Sequence, residues 1–214
     1  MIDIAVVDYG MGNLRSVSKA LEHVAPDKQV VVTSDPSQID AAERVVFPGQ
    51  GAMPDCMREL NMRGLRDAVV RAAASKPFLG ICIGLQLLFE HSEEGNAAGL
   101  GILPGNVVKF VKAEMHDAVG HKLKVPHMGW NQVYQTMQHA MWQGIPDGER
   151  FYYVHSYYVV PDNQEIVAGY SEYPARFTSV VAQDNIFAVQ FHPEKSQHAG
   201  LQLLSNFARW NGRA

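Results

Sequence analysis

Polar and apolar positions in the first half of the chain alternate between two periods. Residues 2–8 (IDIAVVD) form a short β-branched run, read as a buried strand bounded by Gly10 and Gly12. Residues 14–24 then place Leu14, Val17, Leu21 and Val24 three and four apart, the spacing of one helix face. Strands follow at 29–33 (QVVVT) and 44–47 (RVVF), the latter stopped by Pro48 and Gly49. A long helix is predicted over about 52–74, a fourth strand over 77–82 and a helix from 84. Strands separated by helices need crossover connections, so the order predicts a parallel sheet with helices on both faces.

The second half has a different rhythm. Strand-like runs at 106–111, 123–134, 150–160, 166–170, 178–183 and 186–191 succeed one another across short turns, before a closing helix at about 197–211. They predict antiparallel additions to one edge of the sheet. With 214 residues, 47% of them hydrophobic, the chain can bury a sizeable core, and it has no internal repeat, low-complexity tract or linker. The expectation is a single α/β domain spanning 1–214.

Charge and cysteine content narrow the function classes. A net charge of −4 leaves no basic surplus to attract nucleic acid or an anionic membrane. Asp3 and Asp8 interrupt the apolar N-terminus, so it does not read as a signal peptide, and no apolar run reaches a membrane span. Two cysteines are no disulfide framework, which points to a reducing, cytoplasmic setting. Nine histidines raise the question of a metal, but neither their spacing nor that of Cys56 and Cys82 matches a zinc pattern, so no metal and no cofactor is expected. "GMGNLR" opens like a dinucleotide fingerprint and then carries Arg15 where the last glycine belongs, which argues against a phosphate cradle.

The chemistry concentrates in "KPFLGICIGLQLLFE", residues 76–90. Gly80 and Gly84 flank Cys82 two residues to either side, at the predicted junction of a strand and a helix. Residues without a Cβ let a sharp elbow close around a strained nucleophile, the mechanics of G-x-S-x-G with sulfur in place of oxygen. A helix N-terminus there favours the thiolate. A lone cysteine is more often a buried packing residue, which is the reading for Cys56; the glycine pair and the strand-to-helix context tip Cys82 toward a nucleophile. A base and its orienting group are available in "FAVQFHPEKS": His192 and Glu194 lie two apart at a strand end, on the same side, with Pro193 between them. "VVFPGQGAM" offers an oxyanion site at Gly49, Gln50 and Gly51, where glycines let backbone N–H groups approach and reorient, and the N–H of Ile83 is the second expected donor.

Together, "GICIGLQ", "HPE" and "PGQG" resemble the class I (triad) glutamine amidotransferases, and the resemblance spans the chain. It implies a flavodoxin-like fold and a Cys82–His192–Glu194 triad that hydrolyses L-glutamine. It also implies Gln86, Glu94 and backbone groups around Ser156 and Tyr157 as the glutamine-binding positions. "YGMGNL", "PHMGWN", "FYYVHSYY" and "HPEKS" are similar to one branch, the glutaminase subunits of imidazole glycerol phosphate synthase. That branch implies a heterodimer with a (β/α)-barrel cyclase subunit in histidine biosynthesis, with Asn13, Trp130 and Lys195 facing the partner. Gln50 departs from the apolar residue common at its position. Two alternatives are a free-standing thiol amidase similar to γ-glutamyl hydrolase, which leaves "PHMGWN" and Lys195 unexplained, and a non-catalytic interaction protein on the same fold.

Overall fold

In the computed structural model, which describes residues 2–111, 115–116 and 119–213, one sheet runs through the whole molecule. The first half builds β1 (Ile4–Val7), α1 (Leu14–Val24), β2 (Val30–Thr33), α2 (Pro36–Ala41), β3 (Arg44–Gly49), α3 (Met53–Met62), α4 (Arg66–Ser75) and β4 (Phe78–Cys82). The order β2-β1-β3-β4 is parallel throughout, as the alternation of periods predicts. Every residue of β1 and β4 is buried, which is why both read as continuous apolar runs rather than alternating ones.

After a one-turn helix, α5 (Ile83–Gln86), the chain forms β5 (Phe89–Ser92), β6 (Ala97–Ala98), β7 (Leu103–Lys109), β8 (His127–Gln135), β9 (Glu149–His155), β10 (Tyr157–Pro161), β11 (Val167–Glu172), β12 (Arg176–Gln183), β13 (Ile186–Val189) and α6 (Gln197–Arg209). The sheet continues from β4 as β13-β12-β10-β7-β5-β6, with β11 pairing β12 and β8, and β8 pairing β9. β13, expected among the antiparallel additions at the edge, instead lies inside the sheet, parallel to β4 and antiparallel to β12, and β5 pairs β7 in parallel; the other pairings of the second half are antiparallel. Among the described residues no helix is long and apolar enough to cross a membrane.

Four predicted elements differ. The helix expected over 52–74 is two helices, because Gly64 adopts φ +67° and closes a Schellman cap: Leu65 N–H donates to Leu60 O (3.0 Å) and Gly64 N–H to Asn61 O (3.0 Å). The run at 150–160 is two strands, since residues up to His155 pair with β8 and those from Tyr157 pair with β7. The helix from 84 lasts one turn, and the run at 123–134 becomes a strand only from His127, after Pro126. The short α2 has no counterpart among the expected elements, although Asp35 accepts a bond from Ser37 N–H (2.8 Å) and Pro36 opens the helix, both ordinary start signals.

Candidate active site

Cys82 sits where β4 turns into α5, with φ +55° and ψ −109°, a conformation that strains any L-residue. The glycines permit it. A Cβ on Gly84 would lie 1.8 Å from Phe47 O, and one on Gly80 would lie 2.9 Å from the Ala188 Cβ. Gly49, beside Cys82 in the sheet register, has equally little room, with Ile83 Cβ 2.8 Å from where its own Cβ would be. The sharp elbow and the close approach of the end of β3 are therefore one packing solution. Because α5 is a single turn, its dipole is short, and the positive partner available to the sulfur is an imidazole.

That imidazole is His192. Its Nδ1 lies 2.9 Å from Glu194 Oε1, with the side chains 5% and 1% exposed, while Nε2 is buried and has no hydrogen-bond partner among the described residues. Burial opposes a charge on His192, but Cys82 on one side and Glu194 on the other outweigh it and push its pKa up to about 10. The carboxylate acceptor on Nδ1 dictates the tautomer in which Nδ1 carries a proton. Glu194, His192 and Cys82, the three groups expected from the sequence, thus meet at one site.

A cavity of about 300 Å³ opens onto Cys82 and His192, and its walls include Gln50, Gly51, Ile83, Gln86, Glu94, Ser156 and Tyr157. All the expected glutamine-binding residues are therefore gathered here. Glu94 has a second duty: its Oε2 accepts from Met53 N–H (2.8 Å) at the start of α3. Gly51 takes φ +106°, open to few residues but glycine. The carbonyls of Ser156 and Tyr157 are occupied, the first by Phe110 N–H (3.1 Å) and the second by Gln86 Nε2 (3.1 Å) and His155 Nδ1 (2.8 Å).

His127 and His155 form a buried pair beside this cavity, Nδ1 to Nε2 at 2.9 Å. Since Tyr157 O can only accept, His155 holds its proton on Nδ1 and accepts at Nε2, so His127 donates from Nδ1. Both are neutral: burial lowers His127 to about 4, and burial together with the neighbouring His127 lowers His155 to about 3. Among the described residues no cluster of three or more His, Cys, Asp or Glu side chains could hold a metal ion.

The three residues expected at a partner interface lie outside the cavity. Trp130 is 44% exposed and Met128, on the same side of β8, is 62% exposed. Trp130 lies opposite Tyr152 of β9, whose backbone accepts from His192 N–H (2.9 Å) and donates to Ser196 Oγ (2.9 Å). The turn that carries Lys195 is thereby tied to the strand pair that carries Trp130. Asn13, half-buried, stands at the N-cap position of α1 without a side-chain capping bond, and that helix also packs against the turn.

Residues 5–210 match the family described as glutamine amidotransferase class-I. The chain is 69% identical over 210 residues to the imidazole glycerol phosphate synthase subunit HisH of Aromatoleum aromaticum, covering 98% of this chain and 99% of that one. It is 68% identical to the HisH subunit of Thiobacillus denitrificans, covering 98% and 92%. In structure it is similar to a glutamine amidotransferase from Thermotoga maritima, with a TM-score of 0.62 at 14% identity over 90% of this chain and 76% of the other, a likeness of fold. This chain belongs to the class I glutamine amidotransferases, a family of glutamine-hydrolysing enzymes, and within them to the HisH branch.

Proposed function

We propose that this chain is the glutaminase subunit of a cytoplasmic imidazole glycerol phosphate synthase, hydrolysing L-glutamine at Cys82 and passing the ammonia to a cyclase subunit. The observation that carries the reading is His192, held by Glu194 at Nδ1 with Nε2 left unpartnered, lining one cavity with Cys82 on its strained elbow. The Cys82 thiolate attacks the side-chain amide carbon of glutamine. The oxygen that becomes negative is met by the N–H groups of Ile83 and Gln50. His192 gives its Nε2 proton to the departing nitrogen, which leaves as ammonia, and a glutamyl thioester remains on Cys82. Water then attacks the thioester with His192 taking its proton, and glutamate departs as the sulfur regains its charge. Glu194 stays ionised throughout and stabilises the imidazolium.

Ammonia explains the partner. In neutral water it takes up a proton and loses the lone pair it needs for attack, so direct transfer through a sealed interface keeps it reactive. The exposed Trp130 and Met128 support that contact, and two unbonded cysteines fit a reducing compartment. A resting enzyme that spares glutamine is achieved if the peptide between Gly49 and Gln50 turns its carbonyl toward the developing oxyanion until the partner binds; one such donor is worth about 10²–10³ in turnover. The test supplies amide-labelled glutamine to the chain alone and with the cyclase and its nucleotide. Slow hydrolysis alone, acceleration in the liganded complex and label in the cyclised product are expected. Label diluted by free ammonia would rule out direct transfer, and equal rates would rule out the switch.

A further inference from the structure

The buried amides beside Cys82 can be oriented link by link, starting from a backbone carbonyl, which can only accept. Gln86 Nε2 lies 3.1 Å from Tyr157 O, so the nitrogen of that side chain faces the strand. Its second N–H donates to Gln190 Oε1 at 3.0 Å. Gln190 is thereby fixed in turn: its oxygen is occupied by Gln86, and its amide nitrogen faces Cys82 Sγ at 3.7 Å. Reversing Gln190 would set its nitrogen against the Gln86 donor. Gln190 is fully buried, directly follows β13, and is two residues from His192. Its own N–H is held by Ser179 O (2.8 Å).

We propose that Gln190 is a further catalytic residue, whose side-chain N–H donates to the sulfur of Cys82 and stabilises its thiolate, with Gln86 as the positioning residue that aims the donor. The proposal rests on Cys82 being the nucleophile. A hydrogen bond to a charged sulfur is stronger than one to a neutral thiol or thioester, so the donor favours the thiolate at both ends of the cycle. It raises the fraction of attacking thiolate before acylation. During hydrolysis of the thioester it stabilises the same sulfur as a leaving group. The Gln86 oxygen, at the far end of this run of hydrogen bonds, is buried with no partner among the described residues, and it is left as an acceptor for a donor group on the bound substrate.

The test follows alkylation of the intact chain by iodoacetamide between pH 5 and 10, with Cys82 and Cys56 peptides quantified separately by mass spectrometry. Preferential labelling of Cys82 in the wild type is required; its absence overturns the nucleophile reading and this proposal with it. In Gln190→Met, the midpoint of Cys82 alkylation should rise by about one pH unit, the scale of one hydrogen bond to a charged group. Gln190→Glu should raise it further by placing a carboxylate at the sulfur. A folded Gln190→Met protein with a reactive Cys82 and the wild-type midpoint overturns the proposal alone. A second measurement needs no Gln190 substitution. In wild-type protein carrying 15N-glutamine, one side-chain amide proton should shift with the same midpoint as alkylation and stay unmoved in Cys82→Ala. If no amide proton tracks the thiol, the donor is not there.

Discussion

Cys56 and Cys82 are the two cysteines of the chain, and solvent exposure barely separates them, at 0% and 4%. Their backbones do. Cys56 lies inside the regular helix α3, where burial pushes its thiol up to about 11 and it donates to Gln50 O at 3.6 Å. Cys82 is held at φ +55° between a strand and a helical turn, facing an imidazole that Glu194 supports. Burial alone makes a thiol inert. On the proposed mechanism, burial beside a positive group and an amide donor suits a thiol to be the nucleophile, because the same low polarity that penalises an isolated charge strengthens its pairing.

The largest expected effect breaks the comparison at its centre. Cys82→Ala should lower glutamine hydrolysis by roughly 10⁴-fold or more, while synthesis from added ammonia survives in the complex. Cys56→Ala should keep hydrolysing glutamine, and a glutamine-derived electrophile should label Cys82 alone. Loss of activity in step with Cys56 labelling would reverse the assignment. Next in size, His192→Asn should cost about 10²–10⁴ in kcat, and Glu194→Gln less, since the imidazole remains with poorer orientation. Steady-state rates on both variants check the ranking; wild-type turnover in His192→Asn would move the base elsewhere.

The smallest effect sharpens the contrast at the histidines. His127 and His155 are lowered in the folded chain relative to about 6.5 when unfolded. Their contribution is complete above pH 6.5 and is lost as pH falls toward 4 and then 3, because the unfolded chain takes up protons that the folded one refuses. His192 has the opposite sign: raised to about 10, its contribution is present below 6.5 and fades as pH rises toward 10. Urea midpoints should therefore fall between pH 6.5 and 4.5, with a shallower slope in His127→Phe. A flat profile would mean that the pair takes up protons in the folded protein as readily as in the unfolded chain.

The parallel core, the antiparallel second half and the gathering of Cys82, His192 and Glu194 were all legible, because each leaves a local mark: a change of period, a glycine two residues to either side, a histidine and a glutamate two apart. The break at Gly64 and the start of α2 left marks too, a glycine inside a periodic run and Asp35-Pro36, that the long apolar pattern obscured. Gln190 was different in kind. It stands inside the same ten residues as His192, but nothing in those residues distinguishes it from a packing glutamine. Its significance comes from Gln86 and Cys82, 104 and 108 positions away. The pairing of His127 with His155 was hidden for the same reason, since it depends on the register of β8 on β9.

The place of β13 carries a consequence for how the protein is made. This strand lies between β4 and β12, so until it arrives each of those strands lacks the neighbour on one side. A ribosome synthesises the elbow at Cys82 long before Gln190, His192 and Glu194. On the proposed mechanism, the nascent chain carries Cys82 without His192 or Glu194 until those residues are made. The same interval leaves the wholly apolar Phe78–Cys82 as an open edge, the kind of template on which strands of other chains pair. Pairing of one four-residue strand, Ile186–Val189, with β4 covers that edge, and the same strand leads directly into His192, so the contact that buries the apolar edge also sets His192 beside Cys82.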